Sequence, residues 1–174
     1  MAPVSESFEQ VAVPHLDAAY NLARWLMRGA DEAEDVVQEA MVRALTYFPS
    51  FRGDNARGWI LQIVRNTAYA SMKLNRGAAL VPIDDEESGL QLVDPGDDPE
   101  ATLLRSEDRQ TIEHLLARLP VELREVLVLR EIEELSYKEV AAIAGVPIGT
   151  VMSRLWRARR LLADGANVEA RRTG

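Results

Sequence analysis

Apolar residues recur along most of the chain at the three- and four-residue spacing of amphipathic helices. The first helical segment covers about residues 5 to 28, with Pro14 at a break or in a first turn. A second segment is predicted to start at Asp31, where Glu34 completes a capping box, and to end near Phe48. Its expected core stripe consists of Val37, Met41, Ala44, Leu45 and Phe48.

A third helix follows the turn-forming residues 49 to 55, where Asp54 or Asn55 can cap it. Its packed side is predicted to contain Ala56, Trp59, Ile60, Ile63, Thr67, Ala70 and Leu74. Helical periodicity returns at about residues 99 to 118, and Leu119 and Pro120 then start a further helix, VELREVLVLREIEE. These segments lie on either side of a stretch without helical pattern.

That stretch, between residues 77 and 100, is rich in proline, glycine and acids, which is typical of a linker. The sequence therefore predicts an all-α protein of two small helical domains joined by a flexible acidic linker. We place the domains at residues 1–77 and 100–165 and the linker at 78–99. Residues 166–174 are expected to form a frayed tail.

Near the end of the chain, SYKEVAAIAGVPIGTVMSRLWRARRLL predicts two short helices around a tight turn. Ser136 and Glu139 form a capping box at the start of the first helix. Gly145 and Pro147 end that helix, because glycine accepts the left-handed conformation and proline cannot continue the hydrogen-bond ladder. The pattern is that of a helix-turn-helix.

The second helix of this motif has an apolar side and a basic side. Its core stripe is predicted to be Val151, Leu155, Ala158 and Leu162. The opposite face carries Ser153, Trp156, Arg157 and Arg160, with Arg154 and Arg159 on its flanks. Arginines on such a helix can contact phosphates and guanine edges in the major groove. The alternative is a solvated basic helix in an ordinary bundle.

Two earlier helices also carry polar faces that suggest interaction. The outer face of the second helix shows Asp35, Gln38, Glu39, Val42 and Arg43, which is either simply solvated or a protein interface. On the third helix, Arg65, Tyr69, Lys73 and Arg76 form a basic stripe with an aromatic ring. Such a stripe suits single-stranded DNA, although a solvated stripe with a half-buried tyrosine is the alternative.

The net charge of −8 at first argues against a nucleic-acid partner, but the charge is segregated along the chain. Residues 52–78 and 147–174 each carry a net +4, whereas residues 79–110 carry −8. Two basic regions separated by acidic sequence suit a protein that touches DNA twice and meets a basic protein partner elsewhere.

Composition excludes other kinds of chemistry. The chain has no cysteine, and His15 and His114 are its two distant histidines, so we expect no disulfide, no metal site and no cofactor. We find no Gly-rich phosphate loop and no nucleophile beside a base, which argues against an enzyme. The sequence shows no signal peptide and no long apolar run, so we expect a cytoplasmic protein without membrane insertion.

Several segments resemble one family. GVPIGTVMSRLWRARRLL resembles the second half of region 4 of extracytoplasmic-function sigma factors, the small promoter-recognition subunits of bacterial RNA polymerase. LARLPVELREVLVLREIEELSYKEVA is similar to region 4.1 leading into region 4.2, and DEAEDVVQEAMVRAL to region 2.2. FRG, followed by a tryptophan-led helix that ends in basic residues, resembles regions 2.3 and 2.4.

This resemblance implies a role for each surface. It implies that the region 2.2 helix docks on the β′ coiled coil of core polymerase through Asp35, Gln38, Glu39, Val42 and Arg43. It assigns capture of an unpaired minus-ten base to Phe51, Arg52, Gly53, Asp54 and Asn55, with Arg65, Asn66, Tyr69, Lys73 and Arg76 on the following helix. Minus-thirty-five contacts fall to Thr150, Met152, Ser153, Arg154, Trp156, Arg157 and Arg160, while the second domain lies on the β flap.

Two further expectations follow from the resemblance. A partner anti-sigma factor is expected, since the family is commonly held inactive by one. Met152 stands where the family often has lysine or arginine, so one minus-thirty-five contact is expected to differ. The competing hypothesis is a dimeric helix-turn-helix regulator that binds promoter DNA without polymerase. The second basic stripe and the loop at residues 51–55 argue against it.

Overall fold

A computed structural model describes residues 6–76 and 109–172. The described residues form helices and connecting turns without strands, so the predicted all-α class is confirmed. Contacts group residues 6–76 in one compact unit and nearly all of residues 109–172 in a second. The predicted linker at residues 78–99 lies outside the described residues.

In the first unit, the described helices are α1 (Phe8–Ala12), α2 (Leu16–Leu26), α3 (Ala30–Tyr47) and α4 (Ala56–Arg76). Short 3₁₀ turns at Val13–His15 and Phe48–Ser50 precede α2 and follow α3. Pro14 therefore marks the predicted break, because the first segment divides there into α1 and α2. Helices α2, α3 and α4 pack against one another around a core that includes Leu22, Leu26, Val36, Ile60, Leu61 and Val64.

The predicted start of the second segment was wrong, and its core stripe was only partly predicted. Ala44 is buried as expected, and Val37, Met41 and Phe48 are partly buried. Helix α3 begins one residue earlier, with Gly29 at the cap and no side-chain capping bond, and Asp31 lies in its first turn. The buried residues are Ala33, Val36, Ala40 and Ala44, whereas Leu45 is 57% exposed. Three of these four positions are alanine, a small side chain that lets α2 and α4 approach α3 closely, and so the larger apolar residues turn outward.

The core side of α4 was also only partly predicted. Ile60 and Thr67 are buried as expected, together with Leu61, Val64, Ala68 and Met72, but Leu74 is 85% exposed. Because α4 packs against both α2 and α3, its buried sector is broader than one stripe and is rotated from the predicted one.

In the second unit, the described helices are α5 (Arg109–Arg118), α6 (Val121–Leu127), α7 (Tyr137–Ala144) and α8 (Ile148–Arg172). A π-helical turn, Val128–Ile132, continues α6. The interior of the second unit combines Leu123, Val126, Val128 and Leu129 with residues of α7 and α8. The sequence also predicts Ile132 as a core residue of this segment, and that prediction was wrong, because Ile132 is exposed at the end of the π-helical turn.

The helix-turn-helix is confirmed in detail. The Ser136 hydroxyl accepts a bond from the Glu139 backbone N–H at 3.1 Å, and the Glu139 carboxylate accepts one from the Ser136 backbone N–H at 3.2 Å. Gly145 ends α7 in the left-handed conformation, with φ of 70°. Val151, Leu155, Ala158 and Leu162 are all buried, as the sequence predicted.

The expectation of a frayed tail was wrong, because α8 continues to Arg172. Helix α5 packs along α8, and beyond Leu162 the side chains of Ala166 and Glu169 remain partly buried. The tertiary contact stabilises turns of helix that would fray in isolation.

Gly145→Ala should lower the free energy of unfolding by about 1 kcal/mol, because a Cβ is unfavourable at positive φ. Gly145→Asn should cost less, since asparagine tolerates the left-handed conformation. Urea denaturation of the full chain measures both variants. Equal stability of Gly145→Ala and the wild type would contradict the assigned turn conformation.

His15 should make stability depend on pH. Burial first, and then the nearby positive charge of Arg57, lowers the pKa of His15 from its ordinary value of 6.5. As the pH falls below 6.5, the unfolded chain therefore binds more protons than the folded chain does. The contribution of neutral His15 to the free energy of unfolding is present at pH 7.5 and is lost toward pH 5. In denaturation experiments at several pH values, the free energy of unfolding should fall less between pH 7.5 and pH 5 in His15→Gln and Arg57→Ala than in the wild type. An unchanged pH profile in His15→Gln would contradict this assignment.

Candidate functional site

The outer face of α3 displays the residues predicted to contact polymerase. Asp35, Gln38 and Glu39 are exposed, and Val42 is 65% exposed, on the side of the helix away from its buried alanines. Arg43 is partly buried and donates to the Glu39 carboxylate at 2.8 Å and to the Thr67 hydroxyl at 3.5 Å. The structure thus brings the predicted set together, with Arg43 linking the face to α4.

One member of this face was missed by the sequence pattern. Leu45 follows Val42 by three residues, so the two exposed side chains are neighbours on the helix surface. Sequence reasoning assigned Leu45 to the core. The misplaced core stripe concealed this second apolar residue, and the alanines at positions 33, 40 and 44 were the signal that could have revealed it.

The loop at residues 51–55 begins inside a row of aromatic rings. Phe51 lies 6.3 Å from Phe48 in a stacked arrangement and 4.7 Å from Trp59 in a tilted one, measured between ring centroids. Phe48 in turn meets Phe8 edge to face at 5.6 Å. Phe51 is therefore partly buried at the base of the loop, while Arg52, Gly53, Asp54 and Asn55 are exposed.

Hydrogen bonds hold the two ends of this loop. The Arg52 guanidinium donates to the Pro49 carbonyl at 3.3 Å, and Gly53 has a φ of 85°. Asn55 caps α4, its side-chain oxygen accepting from the Gly58 backbone N–H at 2.9 Å. A Cβ at position 58 would lie 2.5 Å from the Asn55 amide nitrogen, so glycine allows this cap. The sequence prediction did not include Gly58. Its position three residues after Asn55 could have indicated it, because a capping side chain commonly accepts from the N–H three residues on.

Helix α4 continues from this loop with the predicted basic stripe. The Arg65 guanidinium lies 3.9 Å from the Tyr69 ring centroid and donates to the Asn66 side-chain oxygen at 3.3 Å. Lys73 is exposed one turn beyond Tyr69. Arg76 is the last residue of α4. The arrangement places positive charge and an aromatic ring along one helix directly after the loop.

Helix α8 presents a mixed aromatic and basic surface opposite its buried stripe. Thr150, Met152, Ser153, Trp156 and Arg157 are partly exposed, and Arg160 is exposed. The Arg160 guanidinium lies 5.4 Å from the Trp156 ring centroid. The Ser153 hydroxyl donates to the Gly149 carbonyl at 3.0 Å, which holds it against the first turn of the helix.

Two arginines of α8 do not belong to this surface. Arg154, placed by the sequence on the flank of the basic face and predicted as a DNA contact, is buried, with 8% of its surface exposed. Arg159 forms an ion pair with Glu131 of the π-helical turn. Position 154 directly precedes Leu155 of the buried stripe and so lies at the edge of the core. These residues help to fix α8 within its unit.

Among the described residues, no group of histidine, cysteine, aspartate or glutamate side chains is arranged to hold a metal ion. Within residues 6–76 and 109–172, no helix combines the length and apolar character needed to cross a bilayer.

Comparison with known proteins matches both units to parts of one family. Residues 12–76 match sigma-70 region 2, and residues 109–162 match sigma-70 region 4. The chain is 34% identical over 163 residues to the RNA polymerase sigma-H factor of Pseudomonas aeruginosa, covering 90% of this chain and 84% of that protein. It is 38% identical over 138 residues to the ECF RNA polymerase sigma-E factor of Escherichia coli K12, covering 75% and 72%.

A solved structure is similar as well. The sigma factor RpoE of Bartonella quintana, in complex with the anti-sigma factor NepR, matches with a TM-score of 0.71 and 31% identity. The match covers 92% of this chain and 97% of that one.

A helical region 2 and a region 4 with a helix-turn-helix define a regulatory, DNA-binding initiation factor of the sigma-70 type. The chain belongs to the extracytoplasmic-function sigma factors and directs promoter-specific transcription with RNA polymerase. Membership in this family removes the alternative of a dimeric regulator that works without polymerase.

Gly58→Ala should destabilise the first unit, because the added Cβ displaces the Asn55 side chain that caps α4. Losing such a cap usually costs about 1 kcal/mol. The better helix propensity of alanine offsets part of this cost, so the free energy of unfolding should fall by less than that amount. Asn55→Ala should lose the same bond, and the double variant should be less destabilised than the sum of the two single effects.

Gly149→Ala is the matched control, since a Cβ at this helical glycine meets nothing within 4 Å. It should be neutral or stabilising, because alanine is the better helix former. Denaturant unfolding measures all four variants, and a stabilised Gly58→Ala protein would contradict the role of Gly58 in the Asn55 cap.

Proposed function

We propose that α8 reads the minus-thirty-five element through Met152, Ser153, Trp156, Arg157 and Arg160, with Thr150 at the helix start. The observation that carries this assignment is the division of α8 into a buried stripe and an opposite surface bearing arginines and an indole ring. A helix of this kind fits the major groove, where arginine recognises guanine edges and apolar groups contact thymine methyls. Arg154 is not part of the proposal, because it is buried.

The first unit contacts both polymerase and the minus-ten element in this proposal. The exposed face of α3 docks on the β′ coiled coil, with Val42 at its apolar centre and Asp35, Gln38, Glu39 and Arg43 around it. Leu45 extends that centre, since it is exposed beside Val42. An apolar patch surrounded by polar residues is typical of protein interfaces.

The loop at residues 51–55 captures an unpaired minus-ten base, and Arg65, Asn66, Tyr69, Lys73 and Arg76 follow the strand along α4. Moving a base out of the stack costs a few kcal/mol, which a pocket already ordered before binding must offset. The aromatic contacts of Phe51 and the Asn55 cap supply such order. Charge and a stacking ring on α4 suit the separated strand.

Specificity arises from two weak contacts used together. The second unit lies on the β flap, so that core polymerase holds both DNA-binding surfaces at once. Binding at one element then raises the effective concentration of the other surface at its own element. The sigma factor contributes recognition and strand capture, while the polymerase performs the chemistry, and the complex works in the cytoplasm where both partners reside.

We also propose an anti-sigma partner that covers the α3 face and the α8 surface. The relative from Bartonella quintana, which matches over nearly its whole length, is held by an anti-sigma factor. The exposed apolar residues Val42 and Leu45 give such a partner an anchor on the first unit.

Run-off transcription with core polymerase tests the assignment. Arg157→Ala should lower promoter-specific transcripts by about 10-fold, since one base contact contributes on the order of 1–3 kcal/mol. Its affinity for core polymerase should stay within about twofold of the wild-type affinity. Arg171→Ala, an exposed basic residue at the far end of α8, is the matched control and should transcribe normally.

Val42→Asp should lose affinity for core polymerase, and transcription with it, because a charge enters the apolar centre of the interface. Fluorescence titration of labelled sigma factor with core measures this affinity. Equal loss of core binding and transcription in Arg157→Ala would overturn the role of α8, and unchanged core binding in Val42→Asp would overturn that of α3.

A further inference from the structure

Helix α1 holds the aromatic ring of Phe8 at a defined position in the first unit, which the sequence pattern of α1 does not reveal. The helix ends at Ala12, where the match to sigma-70 region 2 begins. Its start is fixed by a capping box, in which Ser7 and Gln10 exchange bonds of 3.2 and 2.9 Å. Val11 and Ala12 are buried, and α1 packs on α4. Phe8 is thereby held at a defined position.

From Phe8 a continuous row of rings leads to the loop at residues 51–55. Phe8 meets Phe48 edge to face, with an interplanar angle of 73°, and Phe48 stacks on Phe51 at 21°. Phe51, the first residue of the loop, closes the row against Trp59 of α4. Phe51 is thus packed between Trp59 of α4 and Phe48, and Phe48 in turn contacts Phe8 of α1.

We propose that Phe8 is a positioning residue for capture of the minus-ten base, acting through Phe48 on Phe51. The inference rests on the proposed function of the loop at residues 51–55. Phe8 itself touches no DNA in this arrangement. Phe8 restricts the position of the Phe48 ring, and Phe48 in turn restricts the position of the Phe51 ring. The loop is therefore ordered before a base arrives. Less ordering then remains to be done when the base binds.

The row lies at the edge of the unit and not in its core. All four rings are partly exposed, whereas Leu22, Leu26, Ile60 and Leu61 form the fully buried interior. Loss of Phe8 should therefore leave the bundle and the α3 face intact. The α3 face is formed by residues 35 to 45, and none of these residues belongs to the ring row. The buried side of α3 packs against α2 and α4.

The experiment uses holoenzyme assembled from core polymerase and full-length sigma factor. Binding of a fluorescent single-stranded minus-ten oligonucleotide and open-complex formation on duplex promoter are measured, together with affinity for core. Phe8→Ala should weaken oligonucleotide binding and open-complex formation about 2- to 10-fold, the range expected for one aromatic pair. Phe8→Tyr, which keeps the ring, should restore both, and core affinity should not change.

Val13→Ala is the matched control, because it removes an exposed apolar side chain from the adjoining turn, 57% exposed and outside the ring row. It should behave as the wild type. Phe8→Leu provides a second variant should the alanine variant fold poorly, since it keeps an apolar side chain but removes the edge-to-face contact. It should bind the oligonucleotide more weakly than Phe8→Tyr.

The outcomes separate this proposal from the proposed function. Normal capture in Phe8→Ala and Phe8→Leu, while Asp54→Ala in the loop is impaired, would overturn the role of Phe8 alone. Normal capture in Asp54→Ala and in Phe51→Ala would overturn the assignment of the loop itself. Equal losses of core affinity and capture in the Phe8 variants would show a purely structural role and also overturn the proposal.

Discussion

Burial of one side of each long helix determines which side chains this sigma factor can offer to a partner. On α8 the buried residues recur at i, i+4, i+7 and i+11, so the opposite surface is fixed once Val151 and Leu155 are packed. On α3 the buried positions are mostly alanine, and the helix axis can lie close to its neighbours. The larger apolar residues, Val42 and Leu45, remain outside. Each interaction surface is therefore a consequence of core packing in its own unit.

The same constraint divides the arginines of α8 between two tasks. Arg154 is buried and Arg159 pairs with Glu131, so both stabilise the helix within its unit. Burying charged groups is unfavourable unless partners compensate for the lost hydration, and such groups then fix orientation. Arg157 and Arg160 project from the other side, where we propose that they contact DNA. A count of basic residues along α8 would thus overestimate the number of arginines on that surface.

Several predictions from local rules are confirmed, although the capping box at Asp31 was wrong because Gly29 caps α3. The capping box at Ser136, the left-handed Gly145 and the stripe on α8 each depend on residues close together in the chain. Other predictions failed where packing between distant segments decides. The alanines of α3 carry little hydropathy signal, so the pattern favoured Leu45 as a core residue when it is exposed. Neither the burial of Arg154 nor the ring row from Phe8 to Trp59 can be read from spacing, because both depend on how helices meet in three dimensions.

Helix α8 spans 25 residues without interruption, from Ile148 to Arg172. At 1.5 Å per residue this corresponds to a rod of roughly 37 Å, while the major groove is about 12 Å wide. Only the leading part of the rod can enter a groove, and the trailing part stays packed on α5. In the proposed function, the DNA-contacting surface and its support are therefore parts of one continuous helix. The backbone conformational entropy of this helix is lost when the protein folds, so the promoter need not order that backbone again.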